Sequence, residues 1–172
     1  DLYGDDGELN RYVHMTADKV RAVVEKHIAG GKPVAEYLIP EAGSAFLSKQ
    51  TRIALKNCGV INPEDINDYI AVGGYQAVKK ALLEMDGDAI CSEIEKSGLR
   101  GRGGGGFPTG KKWVQVRSQA EPVKYIVCNG DEGDPGAFMD RSVMEGDPHK
   151  MLEGMIIAGI ATGAQVGYIY VR

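Results

Sequence analysis

The spacing of apolar residues along the chain predicts helices in its first half and strands only in its second half. Apolar side chains recur every three or four residues after Thr16 as far as Ile28, and threonine is a common helix-capping residue. Gly30 and Gly31 should end this helix, because glycine readily adopts the left-handed conformation found at helix ends. Residues 1–15 have no such period, so we expect an irregular lead-in there.

Capping residues and glycine stops predict the remaining helices. The strongest start signals are Asn62-Pro63 and Asp147-Pro148, because a capping side chain precedes a proline at the first helical position. The predicted segments are a turn at 34–38, helices at 49–57, 62–72, 75–85 and 89–97, and a last helix from 148 to about 163. We interpret residues 41–48 as a linker.

Two short apolar runs, at residues 123–128 and 166–171, have the composition of buried strands. The helix predicted between them implies a βαβ crossover and therefore a parallel pair of strands. The sequence thus predicts an α/β fold, with a helical amino-terminal half followed by part of a parallel sheet. Two parallel strands leave open edges, and an apolar strand runs up to residue 172, so we expect the chain to be the front portion of a longer protein.

Composition excludes several classes of function. The 172 residues carry a net charge of -4, which argues against a nucleic-acid surface. Three cysteines are too few for a disulfide scaffold and too widely spaced for a metal or iron–sulfur motif, which indicates a reduced, cytoplasmic setting. The longest apolar run near the end is interrupted by glycine, threonine and glutamine, so we expect neither a membrane span nor direct membrane insertion.

The sequence GLRGRGGGGFPTGKKW, at residues 98–113, is called the glycine motif here. Its glycines match a dinucleotide-binding pattern, but a helix is predicted before them where that motif needs a strand. Residues 105–112 approach a P-loop, yet they lack its final serine or threonine, and Pro108 removes one backbone amide. A flexible surface loop is the remaining alternative. Against it stand two aromatic and four cationic side chains, which favour an anion site: Phe107, Trp113, Arg100, Arg102, Lys111 and Lys112.

The sequence CNGDEGDPGAFMDR, at residues 128–141, is called the acidic motif here and directly follows the first predicted strand. Asn129 and Asp131 should therefore emerge at the carboxyl end of a strand, where open α/β sheets bind ligands. Its carboxylates could bind calcium or magnesium, but their spacing is not that of an EF-hand, and Pro135 between two glycines favours a tight turn. We expect no metal site, and we expect Asn129 and Asp131 to hydrogen-bond a heteroaromatic ring or sugar hydroxyls.

Together the two motifs resemble the flavin- and NADH-binding subunit of respiratory complex I. They resemble still more the homologous flavoprotein subunit of NAD(P)-linked iron-only hydrogenases and formate dehydrogenases. The resemblance extends over residues 45–172, and residues 1–44 resemble the connector that follows a thioredoxin-like [2Fe-2S] domain in the hydrogenase-type proteins. Gly130 and Asp134 stand where complex I typically has alanine and glutamate, and both differences favour the hydrogenase-type branch.

The resemblance implies a Rossmann-like FMN-binding domain and assigns residues to two cofactors. Around the FMN phosphate it places Gly101, Arg102, Gly103 and Lys112, and near the ribityl chain and ring it places Asn129 and Asp131. For NAD(H), it implies that Phe107 stacks on the nucleotide and that Asp134 faces the ribose hydroxyls. The [4Fe-4S] cluster ligands and a glutamate-rich flavin motif of the family lie farther along its chains, in the part expected to be missing here.

The activity implied by the resemblance is that of an NADH dehydrogenase or NAD(P)-reducing hydrogenase subunit. Hydride would pass from NADH to FMN and electrons onward to iron–sulfur partner subunits, including a thioredoxin-like [2Fe-2S] protein or domain. The cofactor carries this chemistry, so no residue is expected to act as a catalytic acid or base. We expect this chain alone to be inactive. The alternative function is a non-catalytic helical interaction module whose glycine motif wraps a partner.

Overall fold

A computed structural model of the protein describes residues 1–4 and 8–172. These residues divide into two units, Asp1–Arg52 and Ile53–Arg172. Among the helices that the structure describes, none is both long enough and apolar enough to cross a membrane.

The first unit combines a short antiparallel hairpin with helical segments. Its elements are β1 (Leu2–Tyr3), β2 (Leu9–Asn10), α1 (Ala17–Val23), a π-helical continuation (Val24–Ile28), a 3₁₀ turn (Ala35–Tyr37) and α2 (Glu41–Ser48). The helix predicted after Thr16 is confirmed, and the Thr16 hydroxyl accepts a hydrogen bond from the Lys19 amide at 3.5 Å.

Two predictions for this unit are wrong. The lead-in at residues 1–15 contains the paired strands β1 and β2, while residues 5–7 lie outside the described part of the chain. The linker predicted at 41–48 is the helix α2, which begins directly after Pro40. Gly43 lies inside α2, and the low helix propensity of glycine weakened the helical signal there.

The second unit contains most of the helices and the parallel strand pair. Its elements are α3 (Ile66–Ala71), α4 (Gln76–Glu84), α5 (Gly87–Ser97), α6 (Thr109–Arg117), β3 (Tyr125–Gly130), α7 (Met139–Gly146), α8 (Pro148–Thr162) and β4 (Val166–Val171). The predicted α4, α5 and α8 are confirmed. The side chain of Asp147 caps α8 ahead of Pro148, and Gly98 ends α5 at a φ of 69°.

β3 and β4 are parallel and pair in register from Tyr125 with Val166 to Gly130 with Val171. The helix α8 connects them and packs against β3, which is the predicted βαβ crossover and confirms the α/β class. β3 begins and ends two residues later than the sequence predicted. Asn129 therefore still belongs to the strand, and the acidic motif turns away from the sheet only after Gly130.

The core of this unit lies where α4, α5 and α8 meet. Ala81, Ile90, Cys91 and Ala161 are buried there, and the ring of Trp113 on α6 packs against them. Burying apolar side chains provides most of the stability of such a core. Because Trp113 is part of this packing, the core holds α6, the helix at the end of the glycine motif, in place.

A buried carboxylate ties α8 to the start of α4. Glu153 is 8% exposed. Its two oxygens accept hydrogen bonds from the Tyr69 hydroxyl at 2.5 Å and from the amides of Tyr75, Ala77 and Val78 at 3.0–3.1 Å. Tyr75 has a left-handed backbone, so the chain turns sharply into α4 and presents these amides to Glu153.

The helix predicted at 49–57 is wrong because tertiary contacts occupy its polar groups. The Lys150 ammonium donates to the carbonyl oxygens of Ile53 and Ala54, and a helix would need those carbonyls for its own amides. Asn57 is buried and donates to the Asp147 carboxylate at 2.8 Å.

The helix predicted from Asn62 begins later than expected. α3 starts at Ile66, and Asp65 is its cap, accepting from the Asn67 amide at 2.8 Å. The Asn62 side chain accepts instead from the Glu64 amide two residues on, as in a turn.

Candidate functional site

The glycine motif and the acidic motif meet at one cavity beside the end of β3. Its volume is about 610 Å³. Five of the eight residues that sequence reasoning assigned to cofactor binding line this cavity: Arg102, Gly103, Asn129, Asp131 and Asp134. The structure therefore brings together, at one cavity, residues that are about thirty positions apart in sequence, a cation from the glycine motif and polar and acidic side chains from the acidic motif.

The other three assigned residues are absent from the described lining of the cavity. Gly101 donates its amide to the Phe107 carbonyl at 2.9 Å, which closes the glycine loop. The ring of Phe107 is exposed, and the Lys112 ammonium lies 5.8 Å from its centroid, within the range of a cation–π interaction. The eight assigned residues are thus five at the cavity, Gly101 at the base of the loop, and a Phe107–Lys112 pair.

Within the glycine motif, the backbone leaves its central amides free. In residues 1–4 and 8–172, the amides of residues 102–106 donate to no main-chain carbonyl. The motif runs directly into α6, whose first-turn amides carry the partial positive charge of a helix start. Free amides beside a helix start form a suitable cradle for a phosphate.

The glycines of this motif have two different roles. At Gly103 and Gly105, no atom of the described chain beyond the adjacent residues lies within 4 Å of where a Cβ would stand, and φ lies outside the left-handed region. The fold itself therefore does not require glycine at these positions, whereas a ligand in close contact with the backbone would. At Gly110 a Cβ would lie 2.5 Å from the Glu95 backbone nitrogen, so this glycine permits the close packing of α6 on α5.

In the acidic motif, two local turns set the direction of the chain. The Asn129 side chain accepts from the Asp131 amide at 3.0 Å and turns the backbone at the end of β3. The Ala137 amide then donates to the Asp134 carbonyl at 3.1 Å, across a Pro-Gly pair in which Gly136 has a φ of 82°. This confirms the predicted tight turn, and it holds Asp134 at the cavity wall.

Sequence reasoning assigned no cofactor role to Glu132, which also lines the cavity. Its two carboxylate oxygens accept from the amides of Asp140 and Arg141 at 3.1 and 3.3 Å and so cap α7. The sequence did not predict α7, because Phe138 occupies its N-cap position and a phenylalanine side chain has nothing to accept a hydrogen bond. A cap supplied from six residues upstream leaves no local signal. A glutamate followed by an apolar period at 139, 143 and 144 was the one available hint.

The cavity contains charges of both signs. Among the described residues that line it, Arg102 is the one cation, whereas Asp131, Glu132, Asp134 and Asp140 contribute carboxylates. Carboxylates repel a phosphate and accept hydrogen bonds from hydroxyl groups. A ligand that carries both a phosphate and sugar or ribityl hydroxyls suits a cavity with these two kinds of group. The first turn of α7 offers fewer free amides to an anion, because Glu132 already accepts from those of Asp140 and Arg141.

Other chemistry at the site is limited. Burial, and secondarily the nearby Asp140 carboxylate, raises the pKa of the Cys128 thiol, so this cysteine stays protonated at neutral pH and is a poor nucleophile. In the part of the chain that the structure describes, no three His, Cys, Asp or Glu side chains are grouped closely enough to hold a metal ion. A second cavity of about 560 Å³, between α8 and the strands, has no titratable side chain in its described lining.

A parallel βαβ unit with an amide-rich glycine loop and carboxylates after a strand end is typical of α/β proteins that bind nucleotide cofactors. Residues 94–172 match the family described as the Nuo51 FMN-binding domain. This match includes the glycine motif, the acidic motif and both parallel strands.

Known proteins with similar sequences are redox subunits. The chain is 53% identical over 131 residues to the NADP-reducing hydrogenase subunit HndC of Solidesulfovibrio fructosivorans, a match that covers 76% of this chain and 26% of the relative. It is 50% identical over 133 residues to an NADH-quinone oxidoreductase subunit of Aquifex aeolicus, covering 77% of this chain and 31% of the relative. The chain thus spans less than a third of the length of these relatives.

A solved structure shows the same fold. The crystal structure of an NAD+-reducing [NiFe]-hydrogenase in the air-oxidized state superposes with a TM-score of 0.54 at 31% sequence identity. The match covers 94% of this chain and 26% of that chain. The similarity to hydrogenase and quinone oxidoreductase subunits confirms the family resemblance that the two motifs indicated.

Proposed function

We propose that this chain forms the phosphate-binding part of an FMN site in the flavoprotein subunit of an NAD(P)H-linked oxidoreductase. In the whole protein, hydride would pass from NADH to FMN and electrons onward to iron–sulfur clusters. The observation that carries the proposal is the shared cavity, whose lining combines Arg102 and Gly103, from the loop with free amides, with four carboxylates. This arrangement fits FMN, which joins one phosphate to a chain of hydroxyls.

The residues from both motifs have a role in this proposal. Arg102 and the amides around Gly103 bind the phosphate, while Asn129 and Asp131 accept hydrogen bonds from the ribityl hydroxyls. Gly101 and Lys112 approach the phosphate from the outer side of the loop. For Lys112 this requires its ammonium to leave the ring of Phe107, a small cost for an exposed cation–π contact.

The nucleotide substrate uses the remaining groups. The exposed ring of Phe107 offers a face on which NADH stacks, and Asp134 accepts from its ribose hydroxyls. When bound, FMN supplies the hydride acceptor and the conversion from two-electron to one-electron transfer. The residues of this chain bind, orient and shield that cofactor, and the reaction asks for no proton transfer by a side chain.

Partners and location follow from the same proposal. Both relatives described above are named as subunits, and we place this chain in a multi-subunit redox complex with iron–sulfur subunits. A thioredoxin-like [2Fe-2S] protein or domain is the proposed neighbour of residues 1–44, and the cytoplasm is the proposed location.

NADH oxidation with ferricyanide as acceptor should be negligible for this chain with added FMN. A rate comparable to that of a full-length relative would contradict the proposal that this chain forms only part of the FMN site.

The chain contains its own reporter for FMN. Trp113 is its one tryptophan and lies at the end of the glycine motif. Flavins accept excitation energy from tryptophan, so bound FMN should quench Trp113 fluorescence along a saturable curve. Riboflavin, which lacks the phosphate, should bind at least about tenfold more weakly, since a phosphate held by charged and backbone donors contributes about 1.5 kcal/mol or more. Equal affinity for the two flavins would contradict phosphate binding by the glycine motif.

We expect the double variant Arg102→Ala/Lys112→Ala to lose FMN affinity by roughly tenfold to thirtyfold without losing stability. Both side chains are exposed cations in a segment that contributes little to the core, so their removal should cost phosphate contacts and little stability beyond the exposed contact of Lys112 with Phe107. The measurements are Trp113 quenching by FMN and the melting temperature of the protein without cofactor.

A matched control for this variant is Lys79→Ala/Lys111→Ala. It removes the same charge from exposed positions, one of them within the glycine motif. If both double variants weaken FMN binding equally, then general electrostatic attraction explains the effect, and the assigned contacts are wrong.

We expect Asp134→Asn, in the whole oxidoreductase, to raise the use of NADPH relative to NADH by roughly tenfold. The carboxylate would repel a 2′-phosphate where it accepts ribose hydroxyls, and asparagine removes that repulsion. Steady-state kinetics with both nucleotides measure the ratio. Glu145→Gln, an exposed change on α7 outside the cavity, is the control, and a ratio that moves in neither variant would show that Asp134 faces something other than the ribose.

A further inference from the structure

Arg100 is one of four cations that made the glycine motif look like an anion site, but the structure gives it a different contact. Its Nη1 donates to the carbonyl oxygen of Gly106 at 2.9 Å, across the opening of the loop. Arg102, by contrast, lines the cavity. We propose that Arg100 is a positioning residue whose guanidinium holds the glycine loop in its phosphate-binding shape, and that it does not bind the phosphate. This inference rests on the proposed FMN site.

The loop has few other restraints. Two main-chain hydrogen bonds close its base, from the Gly101 amide to the Phe107 carbonyl and from the Thr109 amide to the Leu99 carbonyl, both at 2.9 Å. Four consecutive glycines lie between them, and glycine has the largest conformational freedom of any residue. Left to the backbone alone, this stretch would sample many shapes in which its amides diverge.

The Arg100 contact restrains the run of four glycines at its carboxyl-terminal end, Gly106. Gly106, whose carbonyl accepts the bond, has a φ of 57°, a conformation that only glycine adopts easily. Among the hydrogen bonds of the described chain, this is the one that a side chain donates to the carbonyl of a residue between 101 and 107. A charged donor strengthens it relative to a neutral hydrogen bond. Fixing the loop before the ligand arrives reduces the entropy that binding must overcome.

The first test uses the protein without FMN. We expect Arg100→Ala to speed solvent exchange of the Gly101 and Thr109 amides roughly tenfold, because the loop opens more often. Arg100→Lys should restore slow exchange, since one ammonium proton can reach the same carbonyl. Arg102→Ala is the matched control and should leave both rates unchanged. If Arg100→Ala also leaves them unchanged, Arg100 does not hold the loop and the proposal is wrong, whatever FMN does.

The second test separates positioning from direct phosphate contact. Arg100→Gln and Arg102→Gln should each weaken FMN binding, measured by Trp113 quenching, by roughly tenfold. Of these two variants, only Arg102→Gln should reduce the dependence of that affinity on salt concentration, because Arg102 meets the phosphate and Arg100 does not. A reduced salt dependence in Arg100→Gln would overturn the inference and make Arg100 a phosphate ligand. If the wild-type chain binds no FMN, the proposed function fails, and amide exchange alone decides the role of Arg100.

Discussion

Replacing Gly103 with valine should lower the affinity of the chain for FMN roughly a hundredfold while leaving the stability of the protein without cofactor unchanged. No atom of the described chain beyond the adjacent residues lies within 4 Å of a Cβ at this position, so the side chain would stand in open space in the cavity. In the complex, the same side chain would occupy the space of the phosphate. Forcing extra carbons into a filled site costs about 1–3 kcal/mol, and the upper value corresponds to the stated loss.

Trp113 quenching gives the affinity of this variant, and urea unfolding gives its stability. We expect the free energy of unfolding to stay within about 0.5 kcal/mol of wild type, as for other surface changes. Gly154→Ala, at an exposed helical position with equally open surroundings, is the control and should not affect FMN. Unchanged affinity in Gly103→Val would mean that no ligand approaches this backbone.

Replacing Glu153 with alanine should cause a large loss of stability, although this residue lies outside the cavity. Four donors lose their acceptor at once: the Tyr69 hydroxyl and the amides of Tyr75, Ala77 and Val78. Each unsatisfied buried donor costs about 1–3 kcal/mol, and partial access to water lowers the sum, so we expect a loss of about 3 kcal/mol or more. Glu145→Ala, an exposed glutamate paired with Arg141, should cost less than about 0.5 kcal/mol.

The contribution of Glu153 should also depend on pH. Burial pushes the pKa of its carboxyl up, but the hydrogen bonds from Tyr69 and the three amides outweigh burial and hold that pKa below the ordinary value of 4.5. A depressed pKa in the folded state adds stability above pH 4.5, and this stability is lost as the pH falls toward the folded-state pKa. The stability difference between wild type and Glu153→Gln should therefore shrink below that pH. A difference that stays constant down to acid pH would show that the carboxylate is not held in its charged form.

Local signals explain which parts of the fold could be predicted. Asp147-Pro148 and Gly98 act within their own helices, so a single stretch of sequence carries the whole capping interaction. Glu132 caps α7 from outside that helix, and the Lys150 ammonium donates hydrogen bonds to carbonyl oxygens of a segment about a hundred positions earlier. Such interactions depend on the tertiary fold, so the periodicity of the sequence does not predict them.

The candidate site was predictable as a set of residues but not as an arrangement. The motifs predict a ligand with a phosphate and hydroxyl groups, because glycine density, cations and carboxylates are visible in the sequence. The role of each cation depends on its contacts in the folded protein. Arg100 and Arg102 are two positions apart and look equivalent in sequence, yet one contacts the Gly106 carbonyl and the other lines the cavity.

The most direct test of the proposed FMN site is an NMR titration of the ¹⁵N-labelled chain with FMN and, separately, with riboflavin. Amide shifts detect weak binding, so the test does not require the complete flavin pocket. We expect the amides of residues 102–106 to shift saturably with FMN and to stay in place with riboflavin, because the phosphate is the group they bind. If these amides do not move with FMN, or move equally with both flavins, the glycine motif does not bind the phosphate and the proposed function of this chain is wrong.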